Sequence, residues 1–218
     1  LPNTQLTKPT VWGLNTGQIA PQFNQILNDI GPELSAKVDL YQKTEDKWRV
    51  AGGHWLTQKW INTYYPNINI NEQKRHQYGK PFFQNLPEFN ISHSGDWVVF
   101  AFAKQGKIGV DIEKIRTLEI QNFNKQFSPT DLVKIQQNKN PLRAFFNAWT
   151  IKEAVMKADG RAMKIPLHHI HLAEAKAYIQ NEPNPWFTCP FFADPEHMGT
   201  VSMNIPFATP DFLEINLL

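Results

Sequence analysis

Apolar residues recur along this chain with two different periods, and the changes of period mark out its elements. Phe23, Ile26, Leu27 and Ile30 fall at i, i+3, i+4 and i+7, the stripe of one helix face, and Gly31 stands where that helix should end. A longer helical stretch runs from about Lys47 to Tyr65, stopped by Pro66. Its Gly52-Gly53 pair works against a helix there, each glycine costing about 1 kcal/mol relative to alanine. Val11-Trp12-Gly13-Leu14 reads as an opening strand. Then the texture turns to short strands: NINI, FNISH, DWVVFAFA and KIGVDIE, the last three separated by the turn signals Ser94-Gly95 and Gln105-Gly106. That pattern predicts an antiparallel meander.

After Glu113 helices return. Ser128-Pro129-Thr130-Asp131 combines a capping serine, a proline at the first helical position and an acid three residues on. Asn140-Pro141 opens the next helix in the same way and Asp159-Gly160 closes it. Three further strands are predicted near 167–180, 185–192 and 199–204. Helices followed by strands thus occur twice, with the divide near Gln105-Gly106, so the predicted fold is α+β in two similar halves, 1–106 and 107–218, each with helices packed on a small, mainly antiparallel sheet.

Composition narrows the class. Of 218 residues 41% are hydrophobic and 12% aromatic, enough for a folded core and too many for a disordered chain. Cys189 is the single cysteine, which rules out an intramolecular disulfide and suits a reducing compartment. WVVFAFA at 97–103 is far too short to span a bilayer, and residues 1–20 show no charged region followed by an apolar one, so a cytoplasmic protein is expected. The net charge of +2 falls well short of a nucleic-acid binder's clustered basic residues.

The candidate chemistry lies in IGVDIEKI, residues 108–115. In a strand, Val110 and Ile112 point to one face and Asp111 and Glu113 to the other, with the two acids roughly 6.5–7 Å apart along the backbone. They repel each other unless a cation intervenes or water screens them. On the later helix, FFNAWTIKEAVMKADG sets Glu153 and Lys157 four apart, on a face beside that of Phe145, Trp149 and Met156. Each feature alone is explained by a solvated strand face and a surface ion pair worth about 0.3–0.5 kcal/mol. A helix acid packed over the acidic strand would instead make an all-oxygen site suited to Mg²⁺, which takes few protein ligands and leaves the rest to water and phosphate.

GKP at 79–81, FNISHSG at 89–95, GVDIE at 109–113 and WTIKEAVMK at 149–157 occur in that order. Together they resemble the surfactin-synthetase type of 4'-phosphopantetheinyl transferase, over about Pro32 to Ile170. The resemblance implies two pseudo-symmetric α+β halves binding coenzyme A between them, and Mg²⁺-dependent transfer of its phosphopantetheine arm to a serine of an apo acyl or peptidyl carrier protein, releasing 3',5'-ADP. It implies that Asp111, Glu113 and Glu153 hold the metal, and that Lys157 contacts the pyrophosphate. Lys80, Ser92 and His93 match coenzyme A contacts, and Lys37 and Arg49 fall near its 3'-phosphate. The first half, 1–106, would hold the 3'-phosphate and adenine side; the second, 107–218, the metal and pyrophosphate side. Leu34 departs from the pattern, standing where a relative has a basic residue.

On that reading Asp111, Glu153 and Lys157 are the catalytic group, with Glu153 taking the serine proton. Asp131 is a weaker candidate base, because its place in a capping box with Ser128 explains it fully. His168, His169 and His171 face both ways on an expected strand, which argues against zinc. Ser92, Ser94 and His93 lack a G-x-S-x-G elbow and so do not read as a hydrolase. Leu118, Ile120, Phe123 and Phe127 are either a carrier-docking patch or core, and Lys114 and Arg116 suit an acidic carrier helix. The expected partners are a carrier protein and coenzyme A, with no nucleic acid, no membrane and a monomeric state. The rival readings are a non-enzymatic nucleotide-binding module and another Mg²⁺-dependent phosphotransferase or nuclease.

Overall fold

A computed structural model describes residues 6–217; residues 1–5, within the stretch read for a leader, lie outside it. The chain opens with β1 (Thr10–Asn15) and continues through α1 (Thr16–Ile19), α2 (Phe23–Ile30), α3 (Pro32–Asp39) and α4 (Thr44–Tyr64). A short hairpin, β2 (Lys74–Arg75) and β3 (Pro81–Phe82), leads to β4 (Phe89–Ser94) and β5 (Trp97–Phe102). Then come β6 (Ile108–Lys114), α5 (Pro129–Gln136), α6 (Pro141–Asp159), β7 (Ile170–Ala173), β8 (Lys176–Ile179), β9 (Trp186–Asp194), β10 (His197–Met203) and β11 (Asp211–Glu214).

Two sheets of order β11-β1-β5-β4 and β6-β10-β9-β8-β7 form the centre. All their pairings are antiparallel except that of β1 with β11. The fold is α+β, as the sequence predicted. The two sheets are built alike: β1 pairs antiparallel with β5 and β6 with β10, and a long helix, α4 or α6, packs on each pair.

Four layers result. Val98 and Phe100 of β5 join Trp60 and Leu56 under the first helices, while Val99 and Ala101 meet Ile108, Val110 and Ile112 of β6 between the sheets. Both faces of β5 are therefore buried, which accounts for its unbroken apolar run. Gly52 and Gly53 are the opposite of a weakness in α4. A methyl group on Gly52 would stand 2.8 Å from Ile19 Cδ1 of α1 and 3.4 Å from Leu14 of β1 and Val98 of β5, and one on Gly53 would stand 3.4 Å from Ile91 of β4, so the glycines let the helix lie close on the sheet and on α1.

Several expectations are corrected. The meander stops at β5: β6 has no ladder with it and instead edges the second sheet. Alternation gives a strand its faces but not its partner. NINI is not a strand; the Asn69 side chain caps a 3₁₀ turn at Ile70–Glu72. The stretch 167–180 is a 3₁₀ turn followed by the β7–β8 hairpin. Helix α3 went unrecognised, and β11, numbered within 107–218, pairs in the first sheet.

The free edge of β6 faces β4, and side chains take the place of a ladder. The amides of Val110, Ile112 and Lys114 donate to Asn90 Oδ1 at 2.9 Å, Ser92 Oγ at 3.4 Å and Ser94 Oγ at 3.1 Å. This closes an edge that would otherwise expose unpaired amides, each bond contributing about 0.5–1.5 kcal/mol. On its other face β6 carries α6 at very short range. A methyl group on Gly109 would overlap the carbonyl oxygen of Ala154 and the amide nitrogen of Ala158, and lie 2.9 Å from Ala158 Cα. Gly109→Ala is therefore expected to cost about 1–3 kcal/mol or more through overpacking, measured by urea denaturation; an unchanged midpoint would contradict this contact.

Candidate functional site

The face of β6 that carries Asp111 and Glu113 looks not at water but at α6. Asp111 is 3% exposed. Helix α6 runs unbroken past it because Asn140 caps its start, with Arg143 N donating to Asn140 Oδ1, and Gly160 ends it in the left-handed region at φ 90°. Ala154 and Ala158 touch the strand, which brings the neighbouring stripe, Glu153 and Lys157, over the acids. Lys157 does not form the surface pair with Glu153 that spacing suggested. Its Nζ reaches across to Asp111 Oδ1 at 2.7 Å and to Ser92 Oγ at 2.9 Å.

These groups line an open cleft of about 290 Å³, walled by Ile91, Ser92, His93, Asp111, Glu113, Trp149, Glu153 and Lys157. Ser92 Oγ donates to Asp111 Oδ1 at 2.9 Å, and Ser94 Oγ donates to Glu113 Oε2 at 2.7 Å. Asp111 Oδ2 is buried without a hydrogen-bond partner. Burial, then the charge of Asp111, raises the Glu153 pKa from 4.5 to about 7, and the same two causes raise that of Glu113. Crowded acids and an orphaned carboxylate oxygen fit a hard cation with oxygen ligands. Among the described residues no three acids, histidines or cysteines close into a preformed cage, which suits an ion that draws most of its ligands from water and phosphate.

The remaining candidates are spread more widely. His93 is exposed at the cleft mouth, its pKa lowered by partial desolvation and by the charges of Lys157 and Arg49. Arg49 Nε donates to Gly95 O at 3.1 Å, and its Nη1 pairs with Asp46 at 2.7 Å. Lys37 is exposed on α3. Burial and the charges of Lys37 and Arg75 hold His54 at a pKa of about 4, so a basic group that spacing did not reveal gathers beside α4. Leu34, the departure from the family pattern, is a core residue at 5% exposure. Lys80 does not face the acidic cleft. Its Nζ turns inward to Glu88 at 2.6 Å and to the carbonyls of Ile108 and Ala158 at 3.0 and 3.2 Å, bolting the β2–β3 hairpin to the end of α6.

Asp131 is 5% exposed and bound at 3.0 Å by Lys152, itself fully buried. It also closes the capping box with Ser128 and does not line the cleft. Lys152 further donates to the carbonyls of Leu167 and Ile170. Phe127 is buried, and Leu118, Ile120 and Phe123, partly buried, pack against the same cluster, so of the two alternatives for these residues core is the one observed. His168 and His169 sit in the 3₁₀ turn with their rings edge to face. No helix among the described residues is long and apolar enough to cross a membrane.

Sequence reasoning missed what Ser94 binds, since it stood out only as a turn signal and beside Ser92 and His93 in a group without a hydrolase elbow, and it missed Lys152, which appeared only within the WTIKEAVMK run. The matching two-residue spacing of N-x-S-x-S and the V-D-I-E-K run was the available signal for Ser94.

The profile of the 4'-phosphopantetheinyl transferase superfamily matches residues 107–197. The chain is 32% identical over 171 residues to the 4'-phosphopantetheinyl transferase gsp of Aneurinibacillus migulanus, covering 75% of this chain and 71% of that one. It is 32% identical over 209 residues to a 4'-phosphopantetheinyl transferase of Bacillus subtilis, covering 89% of both. To the 4'-phosphopantetheinyl transferase Sfp of Bacillus subtilis (strain 168) it is 28% identical over 203 residues, 87% of both.

Two outcomes are expected from this geometry. A carboxyl with a raised native pKa holds its proton longer in the folded than in the unfolded chain, so its contribution to stability is lost as pH rises from 4.5 to about 7. In chelator-treated protein, denaturant midpoints across this window should fall less steeply for Glu153→Gln than for the parent chain; parallel slopes would contradict the crowding. Lys152→Met should cost about 3–5 kcal/mol by stranding the buried Asp131, read from the same denaturation; a neutral result would contradict the pair.

Proposed function

This chain belongs to the 4'-phosphopantetheinyl transferase superfamily and is an enzyme of that kind; from that premise we propose that it moves the 4'-phosphopantetheine arm of coenzyme A onto a serine of an apo acyl or peptidyl carrier protein. The observation that carries the proposal is the meeting of Asp111, Glu113, Glu153 and Lys157 in one cleft. The serine oxygen attacks the phosphorus that bears the pantetheine arm, a new P–O ester bond forms, the bond to the bridging pyrophosphate oxygen breaks, and 3',5'-ADP leaves with the electron pair.

Asp111, Glu113 and Glu153 would hold Mg²⁺, with Asp111 Oδ2 as the atom lacking any other partner. The ion, when bound, offsets negative charge on the phosphoryl oxygens. Lys157 supplies a second positive charge, steadied by Asp111 and Ser92 at one edge of the cleft. Glu153 accepts the proton of the attacking hydroxyl, directly or through a water. His93 at the mouth contacts phosphate, and Lys37 and Arg49 serve the 3'-phosphate, with the 1–106 half on the adenine side and the 107–218 half on the metal side. Lys80 would act at this site through the hairpin it anchors, because its ammonium is already shared among three acceptors. The enzyme works as a cytoplasmic monomer without nucleic acid or membrane as partner.

Incubation with coenzyme A, Mg²⁺ and several apo carriers, followed by mass spectrometry, is expected to show each competent carrier gaining one phosphopantetheine. Asp111→Asn should slow transfer roughly 100-fold or more. A carrier left unmodified under all conditions would favour a nucleotide-binding module, and chelator-sensitive cleavage of DNA or RNA would favour a nuclease.

A further inference from the structure

The three rungs between β4 and β6 differ in a way that follows the acids. Asn90 receives the amide of Val110, and the β6 residue before Val110 is Gly109, with no side chain. Ser92 receives the amide of Ile112 and Ser94 that of Lys114, and the residues before these are Asp111 and Glu113. A hydroxyl has one proton to give and two lone pairs to receive with. An amide can only donate, so each serine's proton is left for the carboxylate beside it.

For Ser92 the count is complete. Its oxygen accepts from Ile112 N and from Lys157 Nζ, and its proton goes to Asp111 Oδ1 at 2.9 Å. In this arrangement no proton remains for a phosphate oxygen, so a contact between Ser92 and coenzyme A of the kind the resemblance implies would use another atom of the residue. Ser94 accepts from Lys114 N and donates to Glu113 Oε2 at 2.7 Å.

We infer that Ser92 and Ser94 are positioning residues for the metal-holding acids. Each seam serine fixes one oxygen of a β6 carboxylate, and Asp111 Oδ2 is left without a protein partner. The seam that joins the two sheets thereby also aims the acids. The inference rests on the reading of Asp111 and Glu113 as Mg²⁺ ligands, and Asn90 provides the control, since its rung serves the seam and faces no acid.

The test uses Mn²⁺ as the probe, titrated into the full chain and followed by the electron paramagnetic resonance signal of the free ion, alongside thermal unfolding without metal. Ser94→Ala should weaken Mn²⁺ binding about 10-fold or more, and Ser94→Thr, which keeps the hydroxyl, should restore it. Asn90→Ala should lower the unfolding temperature and leave the Mn²⁺ affinity unchanged. If Ser94→Ala does not fold, Ser94→Cys, a far weaker donor of similar size, carries the same expectation. Parental affinity in the Ser94 variant, an equal loss in Asn90→Ala, or no recovery with threonine would overturn the inference. A parent chain that takes up no Mn²⁺ would instead reject the metal site itself.

Discussion

A side chain at position 109 would have nowhere to go, and the acidic cleft depends on that. Gly109 lets the backbone of α6, at Ala154 and Ala158, rest on β6. Because the helix is so close, the stripe one residue back, Glu153 and Lys157, comes within reach of acids on the strand rather than standing off in solvent. The 2.7 Å contact from Lys157 to Asp111 is the direct consequence. Small residues in two separate motifs, one on a strand and one on a helix, thus set the width of a site built from their larger neighbours.

The same closeness has an electrostatic cost. Three carboxylates gather in partly desolvated surroundings, and one lysine answers only part of their charge. Glu153 responds by holding its proton up to a pH of about 7, and Asp111 keeps an oxygen with no partner. Such a site lowers the stability of the empty protein in favour of binding a cation, the usual exchange between stability and activity. The rest of the structure tolerates it because Asp111 is tied from three sides: by its own strand, by α6 and by the seam from β4.

Much of this was legible in the sequence where a short-range rule applied. The stripe from Phe23 to Ile30, the capping box at Ser128 and the glycine after Asp159 each state a local geometry, and α2, α5 and α6 follow them. Alternation in VDIEK gave the faces of β6 correctly but not what covers them, since a polar face reads the same beneath water as beneath a helix. For the same reason Lys157 looked like the partner of Glu153, and nothing near Lys80 or Lys152 in the sequence shows what they bind. Their partners are contributed by carbonyls and acids distant in sequence, such as Ile108, Ala158 and Asp131. Strand partnership was the least visible quantity. Nothing local distinguishes β6 pairing with β10 from β6 continuing a hairpin with β5, or tells β11 to run parallel beside β1.

The most direct test of this account is a crystal structure of the enzyme soaked with coenzyme A and Mn²⁺, read from the anomalous signal of the metal. A single strong peak is expected among the carboxylates of Asp111, Glu113 and Glu153, touching the pyrophosphate, with Lys157 on the same diphosphate. A metal bound elsewhere, or a pyrophosphate lying outside the cleft between β6 and α6, would contradict it.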